Sequence, residues 1–214
     1  MTGRDPATGQ PRAADGVVPD SIKIEIHAPP SSEEANRLGF SLSQRRGVTV
    51  KAPIEEGHSW IMHEEGQRID LVAIKFSKND NIYCVNDEPH VDDPAIEIGQ
   101  DVFLIGFPRG IRPTGLFPIW KRGSIATEPA ILPSGEPYLL VDAATREGMS
   151  GSLVLVRAVT RSAAEALRKP ISLETPFLIQ PGLGFVGVYS GRVGQADALE
   201  AQLGKVWLWS CVEE

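Results

Sequence analysis

Apolar residues in this chain come in short runs, and nearly every run is closed by a turn-forming residue. Runs of strand length, rich in Val, Ile, Leu and aromatic residues, fall at 21–27, 47–51, 71–76, 101–106, 123–127, 138–141, 152–156, 184–189 and 206–212. Many short strands separated by Gly, Pro, Asn and Asp are the pattern of an all-β protein, because each run is too short for a stable helix and carries residues that suit a pleated surface. Pro29-Pro30 and Pro53 mark turns in the first half, and the acidic stretch 86–94 reads as the connection between two halves. Two stretches interrupt the pattern. Residues 160–169 are rich in helix formers and end at Pro170, so a short surface helix is expected there, with a second, shorter one over 196–203. No internal repeat is visible.

At 214 residues the chain can bury a substantial core. Its 23% charged and 42% hydrophobic residues are ordinary for a soluble globular protein. A net charge of −7 argues against nonspecific binding to nucleic acid or to an anionic membrane. No apolar run is long enough to span a bilayer, and residues 1–16 are polar and rich in Pro and Gly, unlike a signal peptide. The two cysteines, Cys84 and Cys211, lie in strand-like contexts over 81–85 and 206–212. They read as reduced, buried thiols, which favours a cytoplasmic setting, and neither adjoins a glycine turn as a nucleophile would.

The chemistry concentrates in Arg146-Glu147-Gly148-Met149-Ser150-Gly151-Ser152, which runs into Leu153-Val154-Leu155-Val156. A serine between glycines, ahead of an apolar strand, can be presented as a nucleophile. Gly148 has access to backbone angles closed to other residues, so the amides across Gly148, Met149 and Ser150, chiefly those of Gly148 and Ser150, can form an oxyanion hole. The same residue types also make any tight turn. A serine nucleophile needs a base, and the base needs an orienting carboxylate. The four histidines, His27, His58, His63 and His90, all precede Ser150, which excludes the α/β-hydrolase order. The subtilisin order would need long helices alternating with parallel strands, and this chain lacks that pattern. Asp70, entering Leu71-Val72-Ala73-Ile74, is the best carboxylate; a strand-capping Asp is the alternative.

With these segments in order, the chain resembles a bacterial trypsin-like serine peptidase of the chymotrypsin superfamily. Asp70 to Ile74 is similar to the family's Asp-hydrophobic-Ala strand. Val102 to Gly110, with Gly106-Phe107-Pro108, is similar to the strand and loop that open the second barrel, and Trp120 to Ile125 to the strand after it. Gly148 to Ser152 matches the nucleophile turn, and Gly187 to Arg192 resembles the strand that pairs with substrate beside the S1 pocket. The resemblance covers roughly residues 45 to 210. It implies an all-β, chymotrypsin-like double β-barrel with short helical insertions: 1–90 as an N-terminal barrel lacking its first strands, and 91–214 as the C-terminal barrel with the nucleophile. It further implies a serine endopeptidase acting on polypeptide through an acyl-enzyme on Ser150, with Asp70 as orienter and no cofactor or metal. The final residues 211–214 would begin the C-terminal helix of such a fold. Ala144, six positions before the serine, would form the S1 base, with Ser190 at the wall and Gly191 admitting substrate backbone. Arg192 either favours an acidic residue or is simply exposed; the second is preferred, so a neutral, small-to-medium apolar P1 residue is expected.

The histidine departs from the family. His27 lies at a suitable distance before Asp70, but Ile24-Glu25-Ile26-His27-Ala28-Pro29-Pro30 reads as a strand running into a proline turn. Trp60 and His63 resemble a structural pair of the family, His58, His63, Glu64 and Glu65 lack the spacing of a metal site, and His90 reads as a solvated loop residue. The expectation is therefore a chain that starts after the histidine strand, through a mis-set start or a degenerate gene copy. Loss of the triad histidine costs on the order of 10⁶ in kcat in subtilisin, so such a chain would be a very poor enzyme. The alternatives are a protease-like module that binds peptide along 187–192 by β-augmentation, or recruitment of His58 or His63 as a non-standard base.

Overall fold

The computed structural model describes residues 22–28, 44–50, 60–74, 85, 89–111, 117–168, 181–193 and 202–213. The chain forms two compact units, Met1–Met62 with Val72–Cys84, and His63–Leu71 with Val85–Glu214. Within the first unit, β1 (Ile22–Ala28) pairs antiparallel with β2 (Gln44–Val50), Ile22 opposite Val50 and His27 opposite Arg45. Strands β3 (Trp60–Met62) and β4 (Val72–Ile74) form a second antiparallel pair.

The second unit carries a closed barrel of six antiparallel strands: β5 (Asp101–Gly106), β6 (Ile119–Ile125), β7 (Tyr138–Asp142), β8 (Ser152–Ala158), β9 (Gly182–Arg192) and β10 (Leu203–Leu208). Two three-strand meanders, β5–β6–β7 and β8–β9–β10, join edge to edge through β5·β8 and β7·β10. Closure leaves this sheet without an open edge along its length. The expected all-β class holds among the described residues, which add only short helices.

Period-two alternation fills the barrel. Val102 and Leu104 of β5, Leu139 and Val141 of β7, Val154 and Val156 of β8, and Val206 of β10 are fully buried. Each such side chain contributes about 1.5–3 kcal/mol relative to an exposed one. A smaller cluster of Ile69, Trp207 and Cys211, with Leu71 and Tyr138 against it, packs outside the barrel wall. It ties the segment His63–Leu71 to β10.

Several expected elements shift. The helix expected over 160–169 spans Arg161–Leu167, and Thr160 Oγ1 caps it by accepting from Ala163 N–H at 3.2 Å. Strand β6 begins at Ile119, ahead of the expected 123. The strand expected over 206–212 ends at Leu208, and Ser210–Glu213 is helical, so Cys211 lies on a helical turn rather than a strand. There the Trp209 amide makes a last bond to β9, at Val186 O, and the Val212 amide turns back to Trp209 O, which ends the strand ladder. The helix expected over 196–203 falls largely outside the described residues, apart from Gln202 and Leu203; Leu203 opens β10. Cys84 is outside them too. Among the described residues no helix is long and apolar enough to cross a membrane.

Because the strands alternate in direction, one barrel end collects the close of β5, β7 and β9 and the start of β6, β8 and β10. The serine turn lies in the β7–β8 crossover at that end.

Candidate active site

The crossover 143–151 is held from below. Ala143, Thr145 and Met149 are buried, and the Met149 side chain is fully enclosed in the barrel core, with Ser152 Oγ 3.9 Å from its sulfur. Above it the backbone turns tightly: Met149 N–H donates to Arg146 O (3.2 Å) and Ser152 N–H to Met149 O (2.9 Å). Gly148 has φ +85°, and a Cβ there would lie 2.8 Å from Phe107 O and 3.2 Å from Arg109 N. Glycine is thus required twice over, by its backbone angle and by the loop pressed against it. That loop, Pro108–Gly110, is tied to the turn by Arg109 N–H donating to Glu147 O at 2.6 Å.

This scaffold leaves Ser150 exposed at the barrel end. Its Oγ donates to the Ser190 carbonyl oxygen at 2.6 Å, and Ser190 Oγ donates to Asp70 Oδ2 at 2.8 Å. The structure therefore brings the two sequence-chosen residues, Ser150 and Asp70, to opposite sides of one residue of β9. Asp70 is exposed and precedes β4 rather than entering it; its place is set by its buried neighbour Ile69, 2% exposed against Trp207.

Of the three residues expected to form the oxyanion hole, Met149 drops out, because its amide is committed to Arg146 O and its side chain to the core. The Gly148 and Ser150 amides have no acceptor among the described residues. These two donors, one of them Ser150's own amide, are what an anionic oxygen bound beside Ser150 would use.

No described imidazole joins this group: among the described residues Ser150 Oγ bonds only to Ser190 O, and Asp70 only to Ser190 Oγ. His63 Nδ1 accepts from Glu65 N–H at 3.2 Å. His90, expected to be solvated, is exposed; its Nε2 lies 3.2 Å from Asp92 and its ring meets Phe185 edge-on at 5.0 Å. It also stands at the other end of the barrel, since its neighbour Val91 bridges Gly184, six residues before Ser190 and hence roughly 20 Å away along β9. His27 belongs to β1, and neither its side chain nor His58 is among what is described. Among the described residues no group of three or more His, Cys, Asp or Glu is placed to hold a metal ion.

Neither a model of a known protein family nor a curated protein matches the chain. The functional reading therefore rests on the geometry.

Beside Ser150 opens a cavity of about 350 Å³, lined among others by Arg109, Thr145, Arg146, Tyr189 and Arg192. Gly191 and Glu147 also border it, whereas Ala144, expected at its base, is exposed and does not; buried Thr145 lines it instead. Ser190 sits behind the serine, bonded to it, and Arg192 lines the cavity while remaining exposed. A neutral, apolar pocket was expected around Ala144; the cavity beside Ser150 is lined by arginines. Sequence reasoning passed over Thr145, which adjoins the serine turn, quoted Arg146 within that turn without giving it a role, and left out Tyr189, whose neighbour Ser190 it did choose. Arg109 was quoted within the Phe-Pro-Arg-Gly loop but given no role.

Tyr189 is 2% exposed, and its hydroxyl lies 2.6 Å from Thr145 Oγ1. Burial pushes the phenol above its ordinary 10.0, further than the Thr145 hydrogen bond and the Arg192 charge pull it down. A raised pKa means that the folded state holds its proton longer than the unfolded chain. The associated stability is complete below pH 10 and is lost as pH rises through the folded-state value. Denaturant titrations above pH 10 should therefore show an alkaline loss of stability that is smaller in Tyr189→Phe. That variant should lose about 1 kcal/mol at neutral pH by leaving Thr145 unpaired. Parallel curves for both proteins up to pH 11.5 would rule this out.

Proposed function

We propose that this chain is a serine-endopeptidase-type protein of trypsin-like character, whose six-strand barrel is one of the two barrels of a chymotrypsin-like fold. One observation carries the reading: Ser150 sits at the point where β9 loses its β8 partner, linked through Ser190 to Asp70. Ser152 and Gly151 are the last residues of the β8 side to engage β9, both at Tyr189, whereas Gly191 and Arg192 pair only with β10. Among the described residues Gly191 and Arg192 thus have no backbone partner on the serine's side of β9, and Ser190 O there accepts only from Ser150 Oγ, an edge suited to an extended polypeptide laid down as an additional strand. A scissile carbonyl held there would face Ser150 Oγ, with the Gly148 and Ser150 amides available to the oxyanion.

Turnover adds one requirement. Attack forms the Oγ–C bond and passes the hydroxyl proton to a base; collapse then expels the amine and leaves the acyl-enzyme, which water cleaves. A main-chain carbonyl such as Ser190 O accepts a hydrogen bond but is no base, so Ser150 as placed is parked rather than activated. That observation favours a second reading, a protease-like module that binds peptide without cleaving it. The proposed setting is a reducing, cytoplasmic one, in keeping with only two cysteines in 214 residues.

A fluorophosphonate probe separates the readings. Labelling of the parent that disappears in Ser150→Ala would show an activated serine, and Ala variants of His27, His58 and His63 would then identify its base. Absence of labelling together with measurable binding of extended peptides would establish the binding module. Absence of both would sink the proposal.

A further inference from the structure

We infer that the cavity beside Ser150 receives the carboxylate side chain of an Asp or Glu residue in the bound polypeptide. The inference rests on the peptide-binding reading and adds the substrate class. Three arginines, Arg109, Arg146 and Arg192, line one cavity of about 350 Å³, and Glu147 is the single carboxylate residue on its border. Among the described residues none of the three arginines forms an ion pair, although Arg68, Arg122, Arg161 and Arg168 each pair with Asp or Glu. The chain as a whole carries −7, so three arginines against one glutamate at one opening run against its overall balance.

Their arrangement has a direction. Arg146 Nη1 donates to Thr145 O at 3.0 Å, and Arg192 Nη2 donates to the same oxygen. The two forks come from different strand ends, the β7–β8 crossover and β9, and meet at the cavity wall. Like charges brought to one neutral acceptor repel each other, and an anion between them removes that repulsion. Guanidinium forks match carboxylates in bidentate geometry, whereas the Thr145 and Tyr189 hydroxyls behind them are buried and bonded to each other, which leaves the arginines as the wall's ligand-facing polar groups. Access is open as well, since a Cβ added at Gly191 would meet only Ser150 Oγ, at 3.9 Å.

The test compares acetylated, amidated hexapeptides that differ at one central position, Glu, Gln, Leu or Lys, by fluorescence anisotropy with the full chain. A fifth peptide carries Gln and a free C-terminal carboxylate. The Glu peptide should bind about ten- to a hundredfold tighter than its Gln isostere, and the margin should shrink with added salt. Arg146→Gln/Arg192→Gln should erase the margin by weakening the Glu peptide about ten- to a hundredfold more than the Gln peptide, and Arg192→Lys should keep part of it. Equal binding of the Glu and Gln peptides would overturn the specificity and leave the peptide-binding reading standing. Tight binding of the free-terminus peptide alone would assign the cavity to a chain end and overturn the side-chain assignment. Failure of every peptide to bind would overturn both.

Discussion

Gly187→Ala is expected to abolish the stable barrel. A Cβ built at Gly187 would lie 1.7 Å from Trp207 O and 2.7 Å from Trp207 C, both backbone atoms of the neighbouring strand. No rotamer change relieves a backbone clash. Gly187 stands opposite Val154 on β8 and Leu208 on β10, beside the irregularity where β8 and β9 shift register. Moving β9 away to make room would open the barrel on both sides. The cost should be several kcal/mol, comparable with the 5–15 kcal/mol that stabilises a typical domain. Gly151→Ala is the control: nothing lies within 4 Å of its Cβ, so only its φ of +83° opposes the change, at about 1–2 kcal/mol. Urea unfolding followed by tryptophan fluorescence and circular dichroism would compare them. If Gly187→Ala unfolds within about 1 kcal/mol of the parent, the close approach of β9 to β10 is wrong.

Met149→Ala should be the most costly side-chain truncation at the site, at about 2–5 kcal/mol. The Met149 side chain is fully enclosed among the barrel residues and fastens the serine turn from inside. Met149→Leu conserves volume and should cost less than about 1.5 kcal/mol. The functional consequence separates anchoring from mere packing. Under conditions where both variants remain folded, Met149→Ala should weaken peptide binding, because the Gly148 and Ser150 amides move with the turn, while Met149→Leu should retain it. Unchanged stability in Met149→Ala would falsify the anchoring role.

The legibility of this fold in the sequence follows element by element. Strand β5 was legible at both ends because Val102 to Ile105 is a short apolar run bounded by Asp101 and by Gly106 with its Phe-Pro loop; its alternate burial emerges only in the barrel. Strand β9 was harder: Leu183 is exposed, but four consecutive residues, Gly184 to Val186 and Gly187, are buried where the strand bulges and meets both barrel wall and outer cluster. The end of β10 was misplaced for a related reason. Apolar Val206 to Val212 reads as one run, but after Trp209 the backbone closes a helical turn and Cys211 packs beside Trp207 on it.

At the site, local chemistry was readable and distant pairing was not. The turn around Ser150 could be read because glycine at a φ of +85° leaves a mark in the sequence itself. Asp70 could be read as a carboxylate of interest, but not its partner, since Ser190 lies 120 residues away and meets it only through the barrel. The cationic cavity was hidden for the same reason. Arg109, Arg146 and Arg192 are isolated charges in separate segments, and only strands of alternating direction bring those segments to one end. By itself the sequence determined the strand content, the serine turn and the acidic balance of the chain, because alternation, glycine and net charge are local or additive properties. The tertiary structure alone decided barrel closure, the Asp70–Ser190–Ser150 linkage and the convergence of three arginines, because these depend on which strand ends the backbone ladder brings side by side.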